Sequence, residues 1–169
     1  MSNFKLYDRE FLQFSNRLGN DPLQVQGAGG NTSIKNENYM WVKASGKELS
    51  DSISDNIFVP VNINLIRDNV SSDNNKDIMK AVMDKNIKLR PSIETTFHAC
   101  LNWSIVAHTH SVSTLVHAIS EKGIKIAKEK LNDMPLSVIK YIKPGIDLTK
   151  EIMDKLNPKT QIFILKIMG

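Results

Sequence analysis

The sequence of 169 residues has little of several features that mark particular classes of protein. Its single cysteine, Cys100, excludes a disulfide within the chain, and its apolar neighbours predict a buried, inert thiol rather than a nucleophile. No apolar run approaches the roughly 20 residues that a membrane-spanning helix needs, and the polar segment 1–10 has no signal-peptide core. These absences predict a cytoplasmic protein with no membrane partner.

The charge is mildly positive and evenly spread. A net charge of +4 arises from 22 Lys and Arg residues against 18 Asp and Glu residues. Surfaces that bind nucleic acid concentrate Lys and Arg in one stripe, whereas the densest basic stretch here, 122–130, is interrupted by Glu129. We therefore predict a solvated helix face over this stretch and no nucleic-acid partner.

Helix-like and strand-like patterns alternate along the chain, which predicts a single α/β domain over residues 1–169. Helices are predicted over 8–18 (with Gly19 as the stop), from about Asn64, and over 76–84, 92–101, 113–120 and 149–156. Strands are predicted over 32–35, 39–43, 57–61 (with Pro60 indicating an edge or an end), 103–110 and 161–165. The polar stretch 71–76 is predicted to be an exposed loop.

The stretch His108-Thr109-His110 is the sharpest chemical feature. In a strand, residues two apart point to the same face, so both imidazoles can reach one metal ion. Catalytic zinc uses three protein ligands and keeps a further position open. Alone, His-x-His is a weak signal, because two unrelated histidines at a strand end give the same pattern.

Glu94 is the candidate acid/base beside these histidines. It lies on a predicted helix that leads directly into the histidine strand, where a carboxylate can act on a metal-bound substrate. The alternative is a Glu in the first helical turn that only favours the helix dipole, with Ser92 as a cap. His98 lies four residues later on the same helix face. We interpret it as a core residue, or as one that contacts the ligands without binding the metal itself. His117 is interpreted as structural.

Two glycine-rich turns form a second candidate site. Residues 29–33 read Gly-Gly-Asn-Thr-Ser and residues 44–46 read Ala-Ser-Gly. Glycine lets backbone amides approach an anion closely, and Asn, Ser and Thr add donors. Neither turn matches the nucleoside-triphosphate loop or the dinucleotide fingerprint. Each turn alone is more typical of a plain hairpin.

Taken together and in this order, these stretches resemble the class II aldolase/adducin family, whose enzymes include zinc-dependent sugar-phosphate aldolases. The matching stretches are 26–33 (QGAGGNTS), 41–46 (WVKASG), 90–98 (RPSIETTFH) and 106–111 (VAHTHS). The resemblance runs from about residue 12 to residue 165, and the combination is specific although no single stretch is.

The resemblance implies a three-layer α/β/α fold with a mostly antiparallel central sheet. It also implies a homotetramer with active sites between subunits. The implied reaction is reversible aldol cleavage, in which zinc or another divalent transition metal binds the carbonyl and hydroxyl oxygens of a ketose phosphate.

Site residues carry over from the family by position. Glu94 matches the catalytic acid/base, and His108 and His110 match two of the three zinc ligands. The family's phosphate-binding positions are matched by Gly30, Asn31, Ser45, Gly46 and Ser92. Ile93 stands where the family often has a second serine.

The resemblance also implies a third ligand, a histidine in an Asn-His-Gly stretch directly after the strand 161–165. The sequence there reads Lys-Ile-Met-Gly. We therefore expect a domain that lacks the C-terminal part of the family fold. We also expect weak metal binding and little aldolase activity from this chain alone, because losing even an outer partner of a ligand costs about 10–100-fold in affinity. As a hypothesis, one base deleted from a run of A would turn Lys-Asn-His into Lys-Ile-Met, which the gene sequence downstream would test.

Two alternatives remain open. A sugar-phosphate epimerase or dehydratase of the same fold would share Glu94 and the two histidines and differ in C-terminal residues. A non-enzymatic, adducin-like interaction domain would generally lack the metal histidines, so His108 and His110 count against it.

Overall fold

A four-stranded antiparallel sheet forms the centre of the fold. The computed structural model describes residues 7–72 and 78–167. The sheet is built from β1 (Asn31–Lys35), β2 (Tyr39–Lys43), β3 (Phe58–Asn62) and β4 (Ile105–His108), in the order β3-β2-β1-β4. Pro60, predicted to mark an edge or an end, lies in the edge strand β3.

Six α-helices and a second, two-stranded sheet surround this centre. The helices are α1 (Arg9–Asn20), α2 (Ile63–Ser71), α3 (Thr95–Cys100), α4 (Val112–Ala118), α5 (Glu121–Lys130) and α6 (Ile146–Lys155). The second sheet pairs β5 (Leu136–Ile139) with β6 (Ile162–Leu165) in parallel. Short 3-10 helices cover Leu49–Ser52 and Ile78–Ala81. These counts refer to residues 7–72 and 78–167.

Helices pack on both faces of the central sheet. On one face, Met40 and Val42 of β2 form a buried cluster with Ile66 of α2 and Ala99 of α3. On the other face, Trp41 of β2 packs in a second cluster that includes Phe11 of α1 and Phe58 of β3. Because successive strand residues point to opposite faces, β2 supplies both clusters. The α/β fold with an antiparallel sheet is confirmed.

The first helix confirms its predicted start and corrects its predicted stop. Asp8 caps α1, because its carboxylate accepts a hydrogen bond from the Phe11 N–H at 2.9 Å. The prediction that Gly19 stops the helix is wrong, since α1 continues through it to Asn20. A side chain at Gly19 would collide with the backbone of Leu49 and Ser50. The glycine therefore serves close packing, not termination.

Two elements near the candidate site are shorter than predicted. The helix predicted over 92–101 spans only Thr95–Cys100, and the strand predicted over 103–110 ends at His108. The strand ends because the chain turns to another partner: the N–H of His110 donates to the carbonyl of Gln24 at 2.8 Å, outside the sheet. His110 thus follows the strand instead of forming part of it.

The remaining elements agree with the sequence patterns only in part. The helix predicted over 76–84 is a 3-10 helix over Ile78–Ala81, and its residues 76 and 77 lie outside the described residues. The loop predicted over 71–76 is helical at Ser71, and its residues 73–76 also lie outside them. The last strand pairs with β5, which the sequence did not predict. The single domain over 1–169, lacking the family's C-terminal part, stays a prediction.

Among the helices formed by the described residues, none has the length and apolar character needed to cross a membrane. The basic stretch 122–130 lies in α5, which buries Ile124 and Ala127 and leaves its Lys side chains outward, as predicted.

Candidate metal centre

Glu94, His108 and His110 converge at one end of the central sheet. Each offers a donor atom, and these atoms all lie within 4.8 Å of one another. His108 Nδ1 is 2.5 Å from Glu94 Oε1, and the centroids of the two imidazole rings are 5.1 Å apart. The structure therefore brings together the predicted acid/base and both predicted ligands.

Local backbone structure explains why these side chains meet. Glu94 is the N-cap of α3, and the turn before it is fixed because the N–H and the hydroxyl of Thr95 both donate to the carbonyl of Ser92. His108 is the last residue of β4 and pairs directly with Asn31 of β1. The start of a helix and the end of a strand thus face each other.

The carboxylate stays ionised in this setting. Burial raises the pKa of Glu94, but the contact with His108 and the further influence of His98 and His110 lower it more, so the net shift is downward. Burial also lowers the pKa of His110, and the neighbouring His108 adds to that effect. A charged carboxylate and a neutral imidazole are the protonation states that metal coordination requires.

These residues fit a divalent metal. His108 Nδ1 is buried and approaches Glu94 Oε1 to 2.5 Å without the geometry of a regular hydrogen bond. Donor atoms that converge on a common point without bonding each other suit a shared cation. Two histidines and one glutamate form a known catalytic zinc set.

The first glycine turn lies directly against the second histidine. A side chain at Gly29 would come within 2.9 Å of His110 Nδ1, so only glycine allows the ring its position. Gly30 has a φ of 65°, a left-handed conformation that favours glycine. Asn31 follows at the start of β1 and is fully buried. The predicted phosphate positions Gly30 and Asn31 therefore adjoin the candidate metal site.

The second turn and Ser92 lie next to each other at the end of β2. The N–H of Ser45 donates to the carbonyl of Arg90 at 2.8 Å, and the N–H of Ser92 donates to the carbonyl of Lys43 at 3.4 Å. Gly46 has a φ of 75°, again left-handed. The structure thus places Ser45, Gly46 and Ser92 together, and their role in binding phosphate remains a prediction.

Lys43 connects the two turns, a role that the sequence did not reveal. Its Nζ donates to the carbonyl of Ala28 in the first turn at 2.9 Å and to that of Lys47 after the second at 2.6 Å. Burial lowers the pKa of Lys43, while the nearby Glu94 and Glu48 oppose that shift. A lysine in a strand is usually expected to point into solvent. Only the tertiary structure therefore identifies the bridging role of Lys43.

The other two histidines lie where the sequence placed them. His98 is fully buried, and its Nδ1 is 2.7 Å from the Ser33 hydroxyl. His117 Nδ1 lies 2.6 Å from the Ser113 carbonyl within α4. Cys100 is half-buried, and burial raises the pKa of its thiol, which keeps it in the unreactive protonated form.

The site opens onto a cavity of about 940 Å³ between β4 and β6. Glu94, His108 and His110 lie in its wall, and the remaining wall is largely apolar, with Phe97 and Phe163 among its residues. A concave, mostly apolar space with a few convergent polar groups is typical of a small-molecule site.

Comparison with known proteins identifies the family. The family model described as Class II Aldolase and Adducin N-terminal domain matches residues 9–169. The chain therefore belongs to the class II aldolase and adducin family.

Two solved structures and one curated sequence illustrate the relationship. The N-terminal class II aldolase domain of a conserved Thermoplasma acidophilum protein superposes with a TM-score of 0.80, at 26% identity, over 100% of this chain and 87% of that chain. L-fuculose-1-phosphate aldolase from Thermus thermophilus shares the fold, with a TM-score of 0.59 at 12% identity over 96% of this chain and 78% of that chain.

The curated relative is a Bacillus subtilis protein named "Uncharacterized oxidoreductase YuxG". It is 29% identical over 176 residues, which cover 95% of this chain and 25% of the relative. This chain thus spans about a quarter of the length of that curated relative.

Replacing Lys43 with Met should destabilise the fold. Two carbonyl oxygens would lose a charged donor, so the free energy of unfolding should fall by about 1–3 kcal/mol, measured by urea denaturation. Lys47→Met is the matched control, because its side chain makes only an exposed ion pair with Asp55, and little change is expected. Equal losses in both variants would contradict the bridging role of Lys43.

His98 should make the fold less stable in mild acid. Burial lowers its pKa from 6.5 to about 3, so between these values the unfolded chain binds a proton that the folded chain does not. The free energy of unfolding should therefore fall as the pH drops below 6.5, by up to about 1.4 kcal/mol per pH unit.

Urea denaturation between about pH 6.5 and pH 5, above the range in which most carboxylates titrate, measures this slope. His98→Gln should flatten it, and the control His117→Gln should not. The same slope in all three chains would contradict a neutral, buried His98.

Proposed function

We propose that this domain is a metal-dependent aldolase that cleaves a ketose phosphate reversibly. The observation that carries the proposal is the convergence of Glu94, His108 and His110 within 4.8 Å at the wall of the cavity. Family membership supports the same reaction class. The similarity in fold to an aldolase of L-fuculose 1-phosphate supports a sugar phosphate as the substrate.

His108 and His110 would hold the metal, and Glu94 would be the third donor. When bound, the metal supplies Lewis-acid polarisation of the substrate carbonyl. The Glu94 carboxylate, kept ionised by its surroundings, accepts and returns the proton at the reacting carbon. The largely apolar cavity wall would keep part of the substrate out of contact with water.

The glycine-rich turns would bind the phosphate group. Backbone N–H groups in left-handed turns form anion sites, and Gly30 and Gly46 have the required φ values of 65° and 75°. Asn31, Ser45 and Ser92 would add side-chain donors. Lys43 supports this arrangement, because its Nζ bonds to a carbonyl in the first turn and to one just after the second.

Metal content tests the site directly. Chain purified without added metal and then equilibrated with zinc should bind one equivalent by elemental analysis. The double variant His108→Ala/His110→Ala should bind none, because it retains one of three donors. His117→Ala is the control and should keep its zinc. Zinc retained by the double variant, or absent from the wild-type chain, would refute the site.

The reaction is tested by product analysis on ketose 1-phosphates with zinc present. We expect release of dihydroxyacetone phosphate at under about 1 per second, which is slow for an enzyme, because the described residues bring only two histidines, His108 and His110, to the group of metal donors. Glu94→Gln should slow the reaction by about 10²–10⁴-fold, the usual contribution of a general acid or base. Isomerised or dehydrated sugar phosphate without cleavage would favour the epimerase or dehydratase alternative. No turnover of any substrate by zinc-loaded chain would contradict an enzymatic role.

A further inference from the structure

Unpaired buried polar atoms concentrate at one place in the parts of the chain that the structure describes. They are Nδ2 and Oδ1 of Asn31, Nε2 of His98 and Nδ1 of His108. Asn31 and His108 are directly paired across β1 and β4, and His98 contacts Ser33, which shares the strand face of Asn31. An unpaired buried polar group destabilises a fold, so the concentration of these atoms beside Glu94 calls for a functional reason.

His98 is held in place on two sides. Its Nδ1 lies 2.7 Å from the Ser33 hydroxyl, and its backbone carbonyl accepts a hydrogen bond from the Nζ of Lys35 at 2.5 Å. Phe97 covers the ring, with centroids 4.7 Å apart. The imidazole is therefore fixed, and only its Nε2 is free to take a partner.

Glu94 is the group best placed to be that partner. It precedes His98 by four residues, and the N–H of His98 donates to the Glu94 carbonyl at 3.2 Å, so both side chains share one helix face. The charged or titratable groups that act on His98 are Glu94, His108 and Lys35, with Glu94 the strongest. Of these, only Glu94 can accept a hydrogen bond while charged.

We propose that His98 is a positioning residue for Glu94. Its Nε2–H donates to the Glu94 carboxylate when that carboxylate turns away from His108, and Ser33, by donating to Nδ1, keeps the proton on Nε2. The inference rests on the proposed metal site, because a metal there would compete for the His108 nitrogen that Glu94 now contacts. A largely buried carboxylate needs a replacement donor at that moment.

Two variants of His98 separate this role from simple packing. Gln places an amide N–H near the position of Nε2, whereas Asn places its amide near Nδ1 and can keep only the Ser33 contact. Zinc affinity, measured by competition with a chelator, should fall by about 10–100-fold in His98→Asn, as when an outer partner of a ligand is lost. It should change by less than about 10-fold in His98→Gln.

A structural role predicts the reverse order or equal losses, and either result would overturn the proposal. Unfolding midpoints of both variants show whether the fold survives. A wild-type chain that binds no zinc would refute the proposed metal site, and the metal-free measurement below would then decide the role of His98.

The metal-free measurement uses His108→Ala, which releases Glu94 without any metal. In proton–nitrogen-15 NMR spectra of the imidazoles, the Nε2 proton of His98, too weakly held to be observed in the wild-type chain, should give a downfield signal in this variant. Adding Glu94→Ala should abolish that signal, whereas adding His117→Gln should not. Two results would overturn the positioning role whatever the metal result. One is a signal that persists when Glu94→Ala is added, and the other is no signal in His108→Ala.

Discussion

The antiparallel pairing of β1 with β4 is the constraint on which the site depends. It sets Asn31 opposite His108 at the end of the sheet where both glycine-rich turns emerge. Two residues beyond the end of β4, the N–H of His110 bonds to Gln24, which precedes the first turn, and this brings His110 against Gly29. A slip of one residue in this pairing would turn His108 to the opposite face, away from Glu94. Strand register therefore decides whether the three donors can meet.

Strand β1 places several polar side chains in the core. Asn31, Ser33 and Lys35 alternate along one face of β1 and are all buried, beside a strand whose corresponding residues are Met40 and Val42. The cost is reduced where hydrogen bonds exist, as at Ser33 and Lys35, and is largest at Asn31, whose amide has none. An apolar residue at these positions would favour stability, but Ser33 and Lys35 both bond to His98, four residues after Glu94.

Much of the fold and site could be predicted from the sequence because the signals were local. Alternation identified β2, and the helical spacing of apolar residues identified α1. Failures arose where distant segments decide the outcome. Gly19 stays helical because it packs on residues 49–50, and β4 ends early because its chain bonds to Gln24. Lys43 gave no signal at all, since an isolated lysine in a strand looks solvated until both turns are seen to bond it.

Lys43 also has a mechanical consequence. The Lys43 ammonium group donates hydrogen bonds to the carbonyls of Ala28 and Lys47. It therefore cross-links the two segments of backbone. If one turn shifts, the other must move with it, or a charge-assisted hydrogen bond of the buried Lys43 must break. Glycine makes both turns flexible by composition, yet one strand residue ties the backbone of the first turn to the segment after the second.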